Sequence, residues 1–117
     1  MYKVITIENK KIPMITNGSI LIDYRKFFNS DMLGDYLQLS YSLKNNDFEK
    51  FDSLAVARMM WVCAYQANNQ IKNFEDWLKG FNSPFSFYEH LDDFIKMMES
   101  SLKTNVKPKK YQQGKKK

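Results

Sequence analysis

Few residues in this chain are of types that carry out chemistry, and their spacing brings none of them together. There is one histidine, His90, so a His-rich metal site is excluded. His90 reads as a helix-surface residue rather than the base of a catalytic triad. The one cysteine, Cys63, lies inside the most apolar run, with no histidine near it in sequence. It reads as an inert buried thiol rather than a nucleophile. Two adjacent acid pairs, Asp92-Asp93 and Glu75-Asp76, diverge if they lie on helices, because neighbours on a helix do not face each other. They read as solvated faces, not as an acid/base dyad. Gly34, Gly80 and Gly114 stand alone, so no phosphate-cradling loop is present. No catalytic, cofactor-binding or metal-ligating residue is assigned. No cofactor is expected, and the chain is not expected to be an enzyme.

The elements that could position a site centre on one stretch, Phe51 to Lys72, which has no Gly and no Pro. It is rich in Ala and Met, good helix formers, and Asp52 or Ser53 is placed to cap it. Between Leu54 and Tyr65 only Arg58 is charged. Leu54, Ala57, Trp61 and Ala64 share one face, while Val56, Met59, Met60, Cys63 and Ala67 fall on adjoining faces. A surface helix shows a narrower apolar stripe, so other elements should cover this one on several sides. The run is too short to cross a bilayer, which takes roughly 20 residues.

Ahead of it, residues 2–15 alternate as a β-hairpin. With Asn9-Lys10 as a two-residue turn, Ile7 faces Ile12 and Ile5 faces Met14, four apolar side chains on one side. Glu8 then sits opposite Lys11. Pro13 falls on the outer side, where no ladder donor is needed. Ser19 is placed to cap a helix over 20–28, with Ile20, Leu21, Tyr24, Phe27 and Phe28 on its apolar face. Asp31 opens a helix over about 31–44, whose apolar content is Met32, Leu33, Tyr36, Leu37, Leu39, Tyr41 and Leu43, weakened by Gly34. Asn73 caps a short helix from Phe74 to Gly80. Ser83-Pro84 starts a last helix over about 84–104, with Phe87, Leu91, Phe94, Ile95, Met98 and Leu102 at spacings of three and four.

The fold expected is α+β and mostly α. An N-terminal β-hairpin is followed by about five helices packed around a central helix, with a disordered basic C-terminal tail. Residues 1–104 form a single globular domain, and 105–117 are the Lys-rich tail, which cannot bury enough apolar area to order itself. The formal charge is +5, yet seven lysines and no acid lie between Lys103 and Lys117. The first 102 residues carry 11 Lys and Arg against 13 Asp and Glu, a net charge of −2. Basicity therefore belongs to the tail, whereas a nucleic-acid domain carries a basic face on the fold. With one cysteine there is no intrachain disulfide, which fits a reducing setting. The start, MYKVITIENKK, has no apolar h-region of a signal peptide.

The order of these segments resembles the small tail assembly chaperones of long-tailed bacteriophages and prophages of Gram-positive hosts. Four places carry the likeness, over about residues 5–100. They are the hairpin YKVITIENKKIPM; Tyr24-Arg25 followed by Phe28-Asn29-Ser30-Asp31-Met32-Leu33; the helix from Leu54-Ala55 to Ala64-Tyr65-Gln66-Ala67; and Phe74-Glu75-Asp76-Trp77-Leu78. The second is similar to the family's Tyr-Arg, then Phe-Gly-x-Asp-x-Leu, with Asn29 in place of Gly. Asn tolerates a left-handed conformation, so the swap is mild.

The resemblance implies a non-catalytic role in virion assembly in the host bacterial cytoplasm. The implied partners are the tape measure protein, coated before the tail tube polymerises, and the tail tube protein, recruited through a frameshift-extended form. A homo-oligomer is implied as well, and the hairpin's unpaired edge is a template for another chain. The alternative reading is a small nucleic-acid-binding or regulatory protein using the basic tail, or another phage structural adaptor. No membrane partner is expected.

Overall fold

The computed structural model describes residues 1–105, the last four by their backbone alone. The tail expected to be disordered falls, after Asn105, outside the described residues. The hairpin comes first, β1 (Tyr2–Ile7) and β2 (Lys10–Ile15). Five helices follow: α1 (Ile20–Phe28), α2 (Met32–Asn45), α3 (Ala55–Ala67), α4 (Phe74–Lys79) and α5 (Leu91–Asn105). A short 3₁₀ helix, Ser86–His90, leads into α5. The expected architecture is the observed one, mostly helical with an N-terminal hairpin.

α3 is the centre of the core. Nine of its 13 residues are buried, including Met59, Met60, Trp61 and Cys63. β2, α1 and α2 pack directly on it, and the 3₁₀ helix closes another side. The hairpin lays Ile5, Ile7, Ile12 and Met14 into this core, and α5 adds Phe94, Met97 and Met98. The all-round apolar pattern of α3 thus reflects cover on several sides, as its sequence requires.

The hairpin register differs from the expected one by two residues. Ile5 pairs with Ile12, Val4 with Pro13 and Ile7 with Lys10. The turn is Glu8-Asn9, both left-handed (φ 54° and 67°), as a tight two-residue hairpin turn demands. A shift of two keeps every side chain on its face, so the buried quartet survives the correction. The Glu8–Lys11 pair does not: Lys11 faces Thr6. Glu8 instead turns to a distant segment. Its carboxylate accepts the backbone N–H groups of Asn82 (2.8 Å) and Ser83 (3.0 Å) and the Ser86 hydroxyl. Beside it, Lys10 donates to the Gly80 carbonyl and lies 4.7 Å from the Phe81 ring centre.

Helix ends follow local chemistry. Asp31 accepts the Gly34 N–H (3.1 Å) and Asn73 the Asp76 N–H (2.9 Å), both N-caps. A Cβ on Gly34 would stand 3.1 Å from the Asp31 carboxylate, so the glycine that weakens the helix makes room for its cap. Asn29 and Asn46 close α1 and α2 in the left-handed conformation. Asn29 thus does what the Gly of the resembled motif would do. Ser19 precedes α1 without a side-chain cap bond; its hydroxyl turns to Asn17 and Gln66. The expected last helix is in two parts, because residues 84–85 lead into a 3₁₀ turn before α5 begins at Leu91.

Candidate functional site

An apolar groove of about 640 Å³ lies where the first turns of α1 and α2 meet α5. Ile20 and Leu21 come from α1, Met32 and Leu33 from α2, and Met98 from α5, with Met1 at the rim. Capping places these residues. Asp31 starts α2 so that Met32 points inward and Leu33 outward at the groove's edge. The polar groups in the wall are those of Thr16, Asn17 and Ser101. No ionisable side chain lines it among the described residues. Such a wall suits apolar side chains; the Met1 ammonium at its rim donates to the Thr16 carbonyl (3.1 Å).

The groove opens onto an exposed stripe along α2. Leu33, Leu37 and Tyr41 recur at i, i+4 and i+8 and so cover about 12 Å of helix surface. Leu37 is 55% exposed. The sequence pattern gave α2 seven apolar residues without dividing them between faces; Met32, Tyr36 and Leu39 are buried, whereas Leu33, Leu37, Tyr41 and Leu43 are exposed. That split supplies the candidate surface. Contiguous exposed apolar area of this kind marks interaction sites in soluble proteins.

A polar network ties α1 and α2, two of the groove's helices, to α3. The buried Tyr24 hydroxyl on α1 donates to Asp35 of α2 (2.7 Å), which also accepts from Ser30 (2.9 Å). Arg58 of α3 donates to the Tyr24 oxygen (3.4 Å) and pairs with Asp52. Burial pushes the Tyr24 hydroxyl well above its ordinary value, so it stays a donor at any physiological pH. Burial also raises the Asp52 carboxyl, but hydrogen bonds from Arg58 and the Leu54 N–H outweigh it and leave the group below its ordinary value. The apolar run had marked Arg58 only as an interruption; its signal was a single charge inside a core helix, which requires a partner.

A second concavity, about 540 Å³, lies by the C-terminal half of α3. Trp61 and Tyr65 stack there (5.2 Å between ring centres), and Phe27 meets both edge-on at 5.0 Å. These rings mostly satisfy one another.

The residues weighed for chemistry are kept apart. Cys63 is fully buried, and burial pushes its thiol far above the reactive range. His90 ends the 3₁₀ helix and is half-buried rather than on a helix surface. No group of three or more His, Cys, Asp or Glu among the described residues could hold a metal ion. No described helix is long and apolar enough to cross a membrane. Compared with known protein families, curated proteins and solved structures, the chain matches none.

Proposed function

We propose that this chain is a phage tail assembly chaperone, a non-catalytic protein of the host bacterial cytoplasm. It holds the tape measure protein in the groove and along the α2 stripe until tube subunits are recruited. The observation that carries the reading is the apolar groove, free of ionisable side chains among the described residues, running into Leu33, Leu37 and Tyr41. An amphipathic helix offers the complementary surface, with apolar residues at the same three- and four-residue spacing. Met1, Met32 and Met98 in the wall are adaptable, which suits a long partner of varying sequence. The order of sequence motifs supports the same assignment.

The test is co-expression with the long helical protein encoded nearby, followed by co-purification. Leu33→Asp and Leu37→Asp should abolish co-purification while leaving the melting temperature of the chain unchanged, because both side chains face outward. Raising salt from 50 to 200 mM should change the affinity less than about twofold, against the 10³–10⁵-fold loss of a protein that makes many phosphate contacts. A steep salt dependence, or capture unaffected by both aspartates, refutes the proposal. A tape measure gene downstream and a tail tube gene upstream are the expected genetic setting.

A further inference from the structure

The hairpin has one edge free to accept another strand. Met1 and Thr16 exchange both backbone bonds, Thr16 N–H to Met1 O (2.9 Å) and Met1 N to Thr16 O (3.1 Å). Bonded pairs alternate along an antiparallel ladder, so residues 3, 5 and 7 of β1 also bond inward to β2. Tyr2, Val4 and Thr6 therefore aim their N–H and C=O groups away from β2. Among the described residues, none of these three has a backbone hydrogen bond to any other element. Their side chains share the outer face, Tyr2 62% and Val4 43% exposed. The other edge differs. Pro13, directly opposite Val4, has no N–H to give at the middle of β2's outer side, and β2 is the strand packed on α3.

We infer that β1 pairs antiparallel with β1 of a second copy about a two-fold axis at Val4. In that register Tyr2 faces Thr6 of the second copy, Val4 faces Val4, and Thr6 faces Tyr2. All three outward-bonding residues of each strand meet outward-bonding residues, and each pair exchanges two hydrogen bonds. A shift by one residue would set free groups against groups already used. Aromatic–Thr and Val–Val cross-strand pairs are favourable on the shared outer face. Lys3 falls opposite Ile5 rather than opposite its own copy, so like charges are not brought face to face. The result is a four-stranded sheet, β2-β1-β1-β2, with the helices of both copies on one side. The 3₁₀ helix packs against β1. Pro13 at each outer edge blocks further addition, so assembly through this surface closes at two copies.

The experiment uses the full chain and three substitutions at the axis. Val4→Pro removes the central free N–H; the position opposite already holds a proline, so the hairpin itself should persist. Val4→Lys and Val4→Glu each place like charges face to face. In sedimentation at tens of micromolar, the wild type should run at twice the 13.9 kDa of the chain. All three variants should run as monomers with unchanged circular dichroism. An equimolar mixture of Val4→Lys and Val4→Glu should recover the dimer, since only a residue on the axis meets its own counterpart. Amide exchange at Val4 and Thr6 should be slowed about tenfold or more in the wild type relative to Val4→Lys. A monomeric wild type, a dimer that survives Val4→Pro, or a charge-swapped mixture that stays monomeric overturns the inference. None of these readouts involves the groove, so the outcome is independent of the chaperone reading.

Discussion

Replacing Trp61 by alanine should destabilise the chain by about 4 kcal/mol. The indole is 3% exposed, at the middle of α3. Burying a ring of this size removes on the order of 200 Å² from water, about 5 kcal/mol at 25 cal/mol per Å². Alanine keeps roughly 1 kcal/mol of that through its methyl group. Trp61 also meets Phe27 at 5.0 Å, Tyr65 at 5.2 Å and Phe28 at 5.7 Å, and such ring pairs add about 0.5–1.5 kcal/mol beyond area. Two features limit the loss. The vacated volume joins the open concavity beside Phe27 and Phe74 instead of leaving a sealed void, so part of the cavity cost is relieved. The Nε1–H donates to the Lys72 carbonyl (3.0 Å), and Lys72 is an exposed residue that water can serve instead. Trp61→Phe keeps a ring and loses that bond, and should cost about 1–2 kcal/mol. Urea unfolding followed by circular dichroism at fixed protein concentration is the assay, since Trp77 would confuse a fluorescence signal. A loss below about 1 kcal/mol for Trp61→Ala refutes the placement of α3 at the centre of the core.

Tyr24→Phe should cost about 1–2 kcal/mol in the same assay, because Asp35 keeps the Ser30 hydroxyl and Arg58 keeps Asp52. Glu8→Gln should flatten the acid limb of the stability curve. The Ser86 hydroxyl and the Asn82 N–H hold the Glu8 carboxyl below its ordinary value of 4.5, so its stabilisation is complete above that pH and is lost as pH falls through the folded value. Wild type and Glu8→Gln should therefore differ most near neutrality and converge in acid; equal differences at both pH values refute the contact. Ending the chain after Asn105 should leave the melting temperature within about 2 °C, as for surface changes away from a core.

Most of the fold was legible because period and caps agree. α1 runs Ile20–Phe28 as the i, i+4 and i+7 spacing requires, and Asp31 and Asn73 cap the helices they precede. α3 was legible from its lack of a polar face. The α2 surface was not legible, because composition cannot separate a buried leucine from an exposed one. Met32, Tyr36 and Leu39 lie on one side of that helix and Leu33, Leu37 and Tyr41 on another, and only the position of α3 decides which side is covered. The groove was hidden for the same reason: its walls come from α1 and α2 together with α5, which lies far from them in sequence, so the joint surface exists only after packing.

The hairpin register shows how a local preference yields to a distant contact. Read locally, Asn9-Lys10 is the better turn, because it sets asparagine at the first turn position, as in the favoured Asn-Gly turn, where Glu8-Asn9 sets a glutamate. The structure places Glu8 and Asn9 in that conformation instead. Both registers bury the same four side chains, so the apolar pattern cannot choose between them. What differs is where the carboxylate goes. At the turn, Glu8 accepts two backbone N–H groups and a hydroxyl from residues 82–86, which leads into the 3₁₀ helix, while Lys10 takes the Gly80 carbonyl at the end of α4. In the other register Glu8 would face Lys11 across a solvated ladder, a pairing of small value. The strained backbone at Glu8 is held by contacts more than 70 residues away in sequence, and the same contacts fix the path of the chain from α4 into α5. The register thus set also decides which backbone groups of β1 face outward. Tyr2, Val4 and Thr6 are free because Ile7 and Lys10, not Glu8 and Lys11, flank the turn, so a Val4-centred dimer seen in solution would itself confirm the pairing that Glu8 selects.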